Sequence, residues 1–405
     1  MSPSLAWLGD LLWPEPSGSR VTLRRGGGRP SSEERIWAVM PSASNPTSLI
    51  PVGGRPGASA LRQFNDSMSQ PARIRKAAVG AAVRMGAGRL IARDRFVVTP
   101  AGTDAATQDL IGSVLPEILG VPRIEVAISI GRQLRPNLKP VLQIMHPDGT
   151  VIAYAKIGWN DLTRKLVRNE GRALRLWGSS PPRCFEVPRL IHEGEWNGSA
   201  ITVLSPHPHR LLRKGRRNAL PSVDILREVA SCGGVERMPL AGSAYLARTQ
   251  ERITSLTSGR SAEVLRASLS RTASTESIEE VLFGSSHGDW TPWNMSLSDA
   301  GLFVWDWERL EQPTPVGYDV LHFWFEVGFH KEGLDVATAS RSALARSHDA
   351  LERLGVARSS QRSLHRLFLI ERSLRIEEGR VAGVPVHEDL SEGLLHELEG
   401  GAHVA

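Results

Sequence analysis

The segment that most constrains this chain is His287-Gly-Asp-Trp-Thr-Pro-Trp-Asn294, followed after a short apolar run by Phe303-Val-Trp-Asp-Trp-Glu308. Asp289 and Asn294 stand five residues apart on one loop. Asp306 falls at the end of the next strand, for which Leu302 to Val304 is the candidate. An Asp and an Asn at this spacing can set a carboxylate and an amide on the same side of a cleft. An Asp at the end of the next strand can supply a second carboxylate.

The rest of the chain supplies matching layers. Strand candidates are Ile124 to Ile130, Val141 to Met145 and Val151 to Ile157, with Pro147-Asp-Gly-Thr marking a tight turn. A helix over Asp161 to Trp177, capped by Asn160 or Asp161, follows the third strand. Val187 to Ile191 and Ala200 to Leu204 complete a five-stranded antiparallel sheet. After Pro206 the pattern turns helical, with candidates at 222–231, 243–269, 318–330, 335–354 and 361–378, and short strands at Val281 to Phe283 and Leu302 to Val304. The expected class is α+β: a small antiparallel β lobe with one helix over 105–206, then a larger, mostly helical lobe over 207–405. A cleft between two such lobes is the usual place for a ligand.

Residues 1–104 form an extension of unknown role. Its first 35 residues, including Arg-Arg-Gly-Gly-Gly-Arg-Pro at 24–30, read as flexible. Ile36-Trp-Ala-Val-Met and Ser48-Leu-Ile-Pro-Val read as a hairpin, 72–92 as helical, and Arg95-Phe-Val-Val-Thr as a strand.

Phosphoryl transfer asks for a carboxylate to position and deprotonate the attacking hydroxyl. It also asks for hard oxygen ligands for Mg²⁺ and a cation on the nucleotide phosphates. Asp289, Asn294 and Asp306 meet the first two demands. The cation is Lys156, in Ala-Tyr-Ala-Lys-Ile-Gly on the third strand, with Glu170 on the following helix to orient it. Strand lysine, helix glutamate, loop Asp and Asn, then strand-end Asp is the order found in kinases.

On these residues the chain resembles the aminoglycoside phosphotransferase and choline kinase family, which has a protein-kinase-like two-lobe fold. His287, Gly288, Asp289 and Asn294 match its His-Gly-Asp-x4-Asn motif, Asp306-Trp307-Glu308 its metal-binding Asp, and Gly317-Tyr-Asp319 its later Gly-x-Asp. The resemblance covers roughly residues 105–380. It implies that Asp289 is the base and that Asn294 and Asp306 hold Mg²⁺. It further implies that Lys156 grips the phosphates of ATP or GTP and that Glu170 orients Lys156. Ser205 then lies at the hinge under the adenine, and Asp319 braces the catalytic loop. The chain departs from the family at Trp293, where a small residue is usual, and in the single glycine of Ser129-Ile-Gly-Arg-Gln-Leu-Arg-Pro-Asn-Leu-Lys139.

Asp319 follows Asp306 by thirteen positions and no Ala-Pro-Glu occurs, which leaves little room for a peptide-docking platform and favours a small-molecule hydroxyl as acceptor. The acceptor pocket is built from variable helices, so aminoglycoside, sugar and amino alcohol all stay open. The alternative is a catalytically inactive kinase-fold protein that binds nucleotide or acts as a scaffold. Two cysteines exclude a disulfide framework, and no run is long enough to span a membrane. The expected location is the cytoplasm. The net charge of +6 gathers at Arg24 to Arg35 and Arg210 to Arg217 and forms no continuous basic stripe, against nucleic-acid binding. The second cluster reads as a solvated helix start. Trp290, Trp293, Trp305 and Trp307 read as core or cleft wall.

Overall fold

A computed structural model describes residues 1–14, 18–26, 34–52, 54–63, 93–100, 109–131, 134–207, 220–256, 259–274, 280–298 and 301–400. The architecture is α+β and divides into two compact units. The first comprises 1–168 and 189–206, the second 169–188 and 207–405. The helix expected over 72–92 and the basic cluster at 210–217 lie outside the described residues.

In the first unit, helix α1 (Pro3–Leu12) precedes strands β1 (Arg20–Arg25), β2 (Arg35–Ser42) and β3 (Asn45–Pro51), helix α2 (Gly54–Gln63) and strand β4 (Asp94–Thr99). A short π turn leads into α3 (Leu115–Leu119), followed by β5 (Glu125–Ser129), β6 (Val141–Met145) and β7 (Val151–Gly158). Helix α4 (Asp161–Ser179) starts here; β9 (Leu190–Trp196) and β10 (Ser199–Leu204) close the unit. The hairpin expected around 36–52 is formed by β2 and β3.

The sequence leads one to expect a five-stranded sheet. Among the described residues this sheet has nine strands, in the order β1-β4-β2-β3-β5-β6-β7-β10-β9, with antiparallel pairing throughout. The four extra strands come from residues 20–99 and join through β3, where Ser48 faces Ser129 and Leu49 faces Ile128. An uncovered β5 would leave a row of unpaired N–H and C=O groups. Helix α1 and the added strands share the sheet's core: Leu5 and Leu8 of α1, Trp13 at its end, Trp37 of β2 and Phe96 of β4 pack in one cluster with Val126, Ile128, Ile144 and Ala155.

The second unit holds the remainder of α4, β8 (Phe185–Glu186), α5 (Val223–Ser231), β11 (Glu236–Met238), α6 (Ala244–Thr254), α7 (Arg260–Ala273), β12 (Val281–Ser286), β13 (Met295–Ser298), β14 (Gly301–Val304) and β15 (Glu311–Pro315). Helices α8 (Tyr318–Glu326), α9 (Val336–Arg353), α10 (Gln361–Val381) and α11 (Glu388–Gly400) follow. The helix expected over 243–269 is two helices, α6 and α7. The one expected over 318–330 is α8 running into a π turn, Val327–Lys331. Two three-stranded sheets, β11-β12-β15 and β13-β14-β8, frame the loop 287–294.

Candidate active site

Strand β12 ends buried at Ser286 and delivers His287-Gly-Asp. Gly288 has φ +76°, and a Cβ there would meet the Arg309 carbonyl oxygen at 2.3 Å, so only glycine fits. Asp319, at the start of α8, accepts from the backbone N–H of His287 at 2.8 Å and of Gly288 at 3.0 Å. Burial pushes its carboxyl pKa up, against the pull of His287 and these two N–H groups.

His287 is fully buried. Its Nδ1 accepts from the Asp289 N–H at 3.2 Å, which leaves Nε2–H to donate to the Trp305 carbonyl at 3.0 Å. It therefore serves as a strut between the loop and β14's end. From the other side, Arg375 on α10 donates to the Gly288 carbonyl at 2.5 Å and to Glu371 at 2.7 Å. Glu371 is also held by Arg252 at 2.8 and 3.0 Å.

Asp289 sits between two donors. Asn294 Nδ2 donates to its Oδ2 at 2.9 Å and to its backbone carbonyl at 3.0 Å, and His322 Nε2 donates to its Oδ1 at 3.1 Å. The Asp289 side chain keeps 31% exposure, while that of His322 keeps 3%. Burial works to raise the Asp289 pKa. The hydrogen bond and charge of His322, with Arg309 and His287 behind it, outweigh that and hold it well below the usual carboxylate range. His322 carries no motif, yet it lies three residues after Asp319 on α8, so the two share a helix face. That spacing is a signal the sequence contains. Arg375 has none, because its partner is 87 positions away.

Asn294 and Asp306 flank the β13–β14 hairpin. Met295 pairs with Val304, and the Trp305 N–H donates to the Asn294 carbonyl at 3.0 Å. Asp306 takes the left-handed conformation, φ 67° and ψ 51°, rare for a residue with a side chain. The carboxylates of Glu170, Asp306 and Glu308 offer oxygens within 4.8 Å of one another. Asn169 fixes this corner by donating to the carbonyls of Glu308 at 2.7 Å and Leu310 at 3.0 Å. With Asn294 Nδ2 spent on Asp289, its Oδ1 is the atom left to ligate a cation. Three carboxylates this close repel one another, and hard oxygens alone suit Mg²⁺, so the donor set fits that ion.

Trp290 and Trp307 are buried core residues; Trp307 packs on Trp177 (5.2 Å), Phe185 (6.0 Å) and His287 (4.5 Å). Trp305 stacks on His207 at 4.9 Å. Trp293 alone of the four is an exposed side chain, at 40%.

In the first unit, Lys156 lies on β7 opposite Val141 of β6 and Thr202 of β10. Its neighbours Ala155 and Ile157 are buried on the core face, so Lys156 belongs to the half-buried face with Tyr154. Asn160 caps α4, its Oδ1 accepting from the Thr163 N–H at 2.8 Å. Ser205 follows β10; its N–H donates to the Arg189 carbonyl at 2.8 Å and its Oγ accepts from the Arg189 N–H at 2.9 Å.

The sequence matches no protein-family model and no curated protein. Among solved structures, the chain is similar to a thermostable mutant of aminoglycoside phosphotransferase APH(4)-Ia, with TM-score 0.48 and 10% identity, over 73% of this chain and 100% of that one. It is also similar to choline kinase LicA from Streptococcus pneumoniae, with TM-score 0.46 and 12% identity, over 71% and 98%. A third is aminoglycoside 2'-phosphotransferase-IIIa in its GDP complex, with TM-score 0.45 and 12% identity, over 73% and 100%. Among the described residues no helix is long and apolar enough to cross a membrane.

Proposed function

We propose that this chain is a Mg²⁺-dependent phosphotransferase that moves the γ-phosphate of ATP or GTP onto the hydroxyl of a small molecule. The observation that carries the reading is Asp289: a carboxylate left partly open, gripped by Asn294 and His322, on a loop braced by Asp319 and Arg375. That much buried scaffolding around one accessible carboxylate is what a positioned reacting group requires.

In this reading the acceptor hydroxyl hydrogen-bonds to Asp289. Its oxygen forms the new bond to Pγ, the bond from Pγ to the bridging oxygen breaks, the nucleoside diphosphate leaves, and the hydroxyl proton passes to Asp289. A carboxylate with so low a pKa is ionised at neutral pH and a weak base. It therefore orients the hydroxyl throughout and takes the proton late, which suits a loose phosphoryl-transfer transition state. Asn294 Oδ1, Asp306 and Glu308 are the oxygens that would hold Mg²⁺, which neutralises charge on the transferring phosphoryl group. Lys156 serves the phosphates, Glu170 serves Lys156 or the metal corner, and Ser205 the base of the nucleotide.

Between Asp306 and Asp319 the chain spends its residues on a 3-10 turn (Trp307–Arg309) and β15. No segment is left over for docking a peptide, which favours a small acceptor. The test is Mg²⁺-dependent nucleoside diphosphate release. Asp306→Ala should abolish it and Asn294→Ala should cut it less severely, since of these two only Asp306 brings negative charge to the metal. Parental rates in both variants would overturn the assignment.

A further inference from the structure

Trp293 stands apart from the other tryptophans of the loop. The Asn294 N–H donates to the Thr291 carbonyl at 3.1 Å, which makes Thr291-Pro-Trp-Asn294 a tight turn with proline at its favoured second position. Trp293 is therefore carried at the turn's tip, 40% exposed, one residue before Asn294 and four after Asp289. An indole is among the most valuable groups to bury, as Trp290 and Trp307 are. One held out on the loop that carries Asp289 offers its uncovered face to a ligand.

The residues around it set the charge of that ligand. Lys331 closes the π turn after α8, and its ammonium lies 5.6 Å from the Trp293 ring centre, with His330 edge-on at 5.9 Å. Such π turns recur at functional sites. The carboxylates of this segment are already engaged. Glu326 is buried against Arg372 at 2.6 Å and His330 at 3.2 Å. Glu332 takes both nitrogens of Arg346, at 2.8 and 2.9 Å. Asp335 caps α9 through Thr338 at 2.9 and 2.7 Å. A polycation would need carboxylates still available to it, and would meet Lys331 first.

We propose that the acceptor is an anionic ring alcohol, whose ring lies against Trp293 and whose anionic group pairs with Lys331 while its hydroxyl reaches Asp289. This rests on the phosphotransferase reading and narrows it. The test is nucleoside diphosphate release by the full chain with Mg²⁺ and ATP or GTP, in the presence of D-glucuronate, D-galacturonate or hydroxybenzoates, against kanamycin and choline. The anionic ring alcohols should stimulate release, and the two cations should not. With the stimulating acceptor, Lys331→Glu and Trp293→Ala should each raise its KM at least about tenfold, more than they lower kcat, and Trp293→Tyr should recover most of the loss. Stimulation by kanamycin or choline, silence from every anionic ring alcohol, or an unchanged acceptor KM in Lys331→Glu would overturn the inference. Acceptor-independent hydrolysis that needs Mg²⁺ and is lost in Asp306→Ala would still support the phosphotransferase reading by itself. Absence of both hydrolysis and transfer would remove the two together.

Discussion

At the scale of single residues, Asp289 is defined by what holds it. His322 donates to one oxygen and Asn294 to the other, so both carboxylate oxygens are already partly committed. The His322 contact is the larger cause keeping Asp289 ionised against burial. Removing it in His322→Ala should raise the Asp289 pKa and move the acid limb of the kcat/KM profile to higher pH. His322→Gln, which keeps an N–H donor, should restore part of the rate with a smaller shift. The linkage has a definite sign. Because the folded pKa is depressed, the associated stability is complete above the unfolded value, near 4, and is lost as pH falls toward the folded one. An acid limb at the same pH in His322→Ala would show that His322 does not tune Asp289.

At the scale of elements, the loop 287–294 is a short connection pinned from α8, α10 and β14. Gly288 is where this can be broken with one methyl group. Gly288→Ala forces an L side chain into φ +76° and its Cβ to 2.3 Å from the Arg309 carbonyl. The left-handed conformation costs at least about 1 kcal/mol, and relief of the clash must displace Asp289 next door. Denaturant titration should register that loss, with turnover falling much further than stability does; a variant with parental midpoint and rate would contradict it. The elements also show what a sequence displays. His287, Asp289, Asn294 and Asp306 were legible because a loop and the following hairpin bring them together within one stretch of chain. His322 was legible in principle, through its i,i+3 spacing from Asp319. Arg375 and Glu371 were not, because helix periodicity places them on α10 without saying which loop that face meets.

At the scale of the whole chain, the largest departure from expectation is residues 20–99. Strand β1 falls in the stretch expected to be flexible, but β2, β3 and β4 were readable from apolar runs such as Arg95-Phe-Val-Val-Thr. Their destination was not, since which edge a strand joins depends on distant residues, here the two pairs Ser48–Ser129 and Leu49–Ile128. A chain beginning at residue 105 would uncover the β5 edge and strip Trp13, Trp37 and Phe96 from the core. Each such side chain contributes roughly 1.5–3 kcal/mol of burial, so the truncated chain should melt well below the parent or aggregate. A monodisperse truncation with the parental Tm, by size-exclusion chromatography and thermal melting, would contradict that. The central claim concerns chemistry at one carboxylate, and Asp289→Asn tests it most directly. Asparagine keeps the shape of the side chain and removes its charge and its capacity to take a proton. Calorimetry of Mg-nucleotide binding, paired with acceptor-dependent nucleoside diphosphate release, separates binding from transfer. The account expects near-parental nucleotide affinity and transfer reduced by at least about 10²-fold; full transfer by Asp289→Asn would place the base elsewhere.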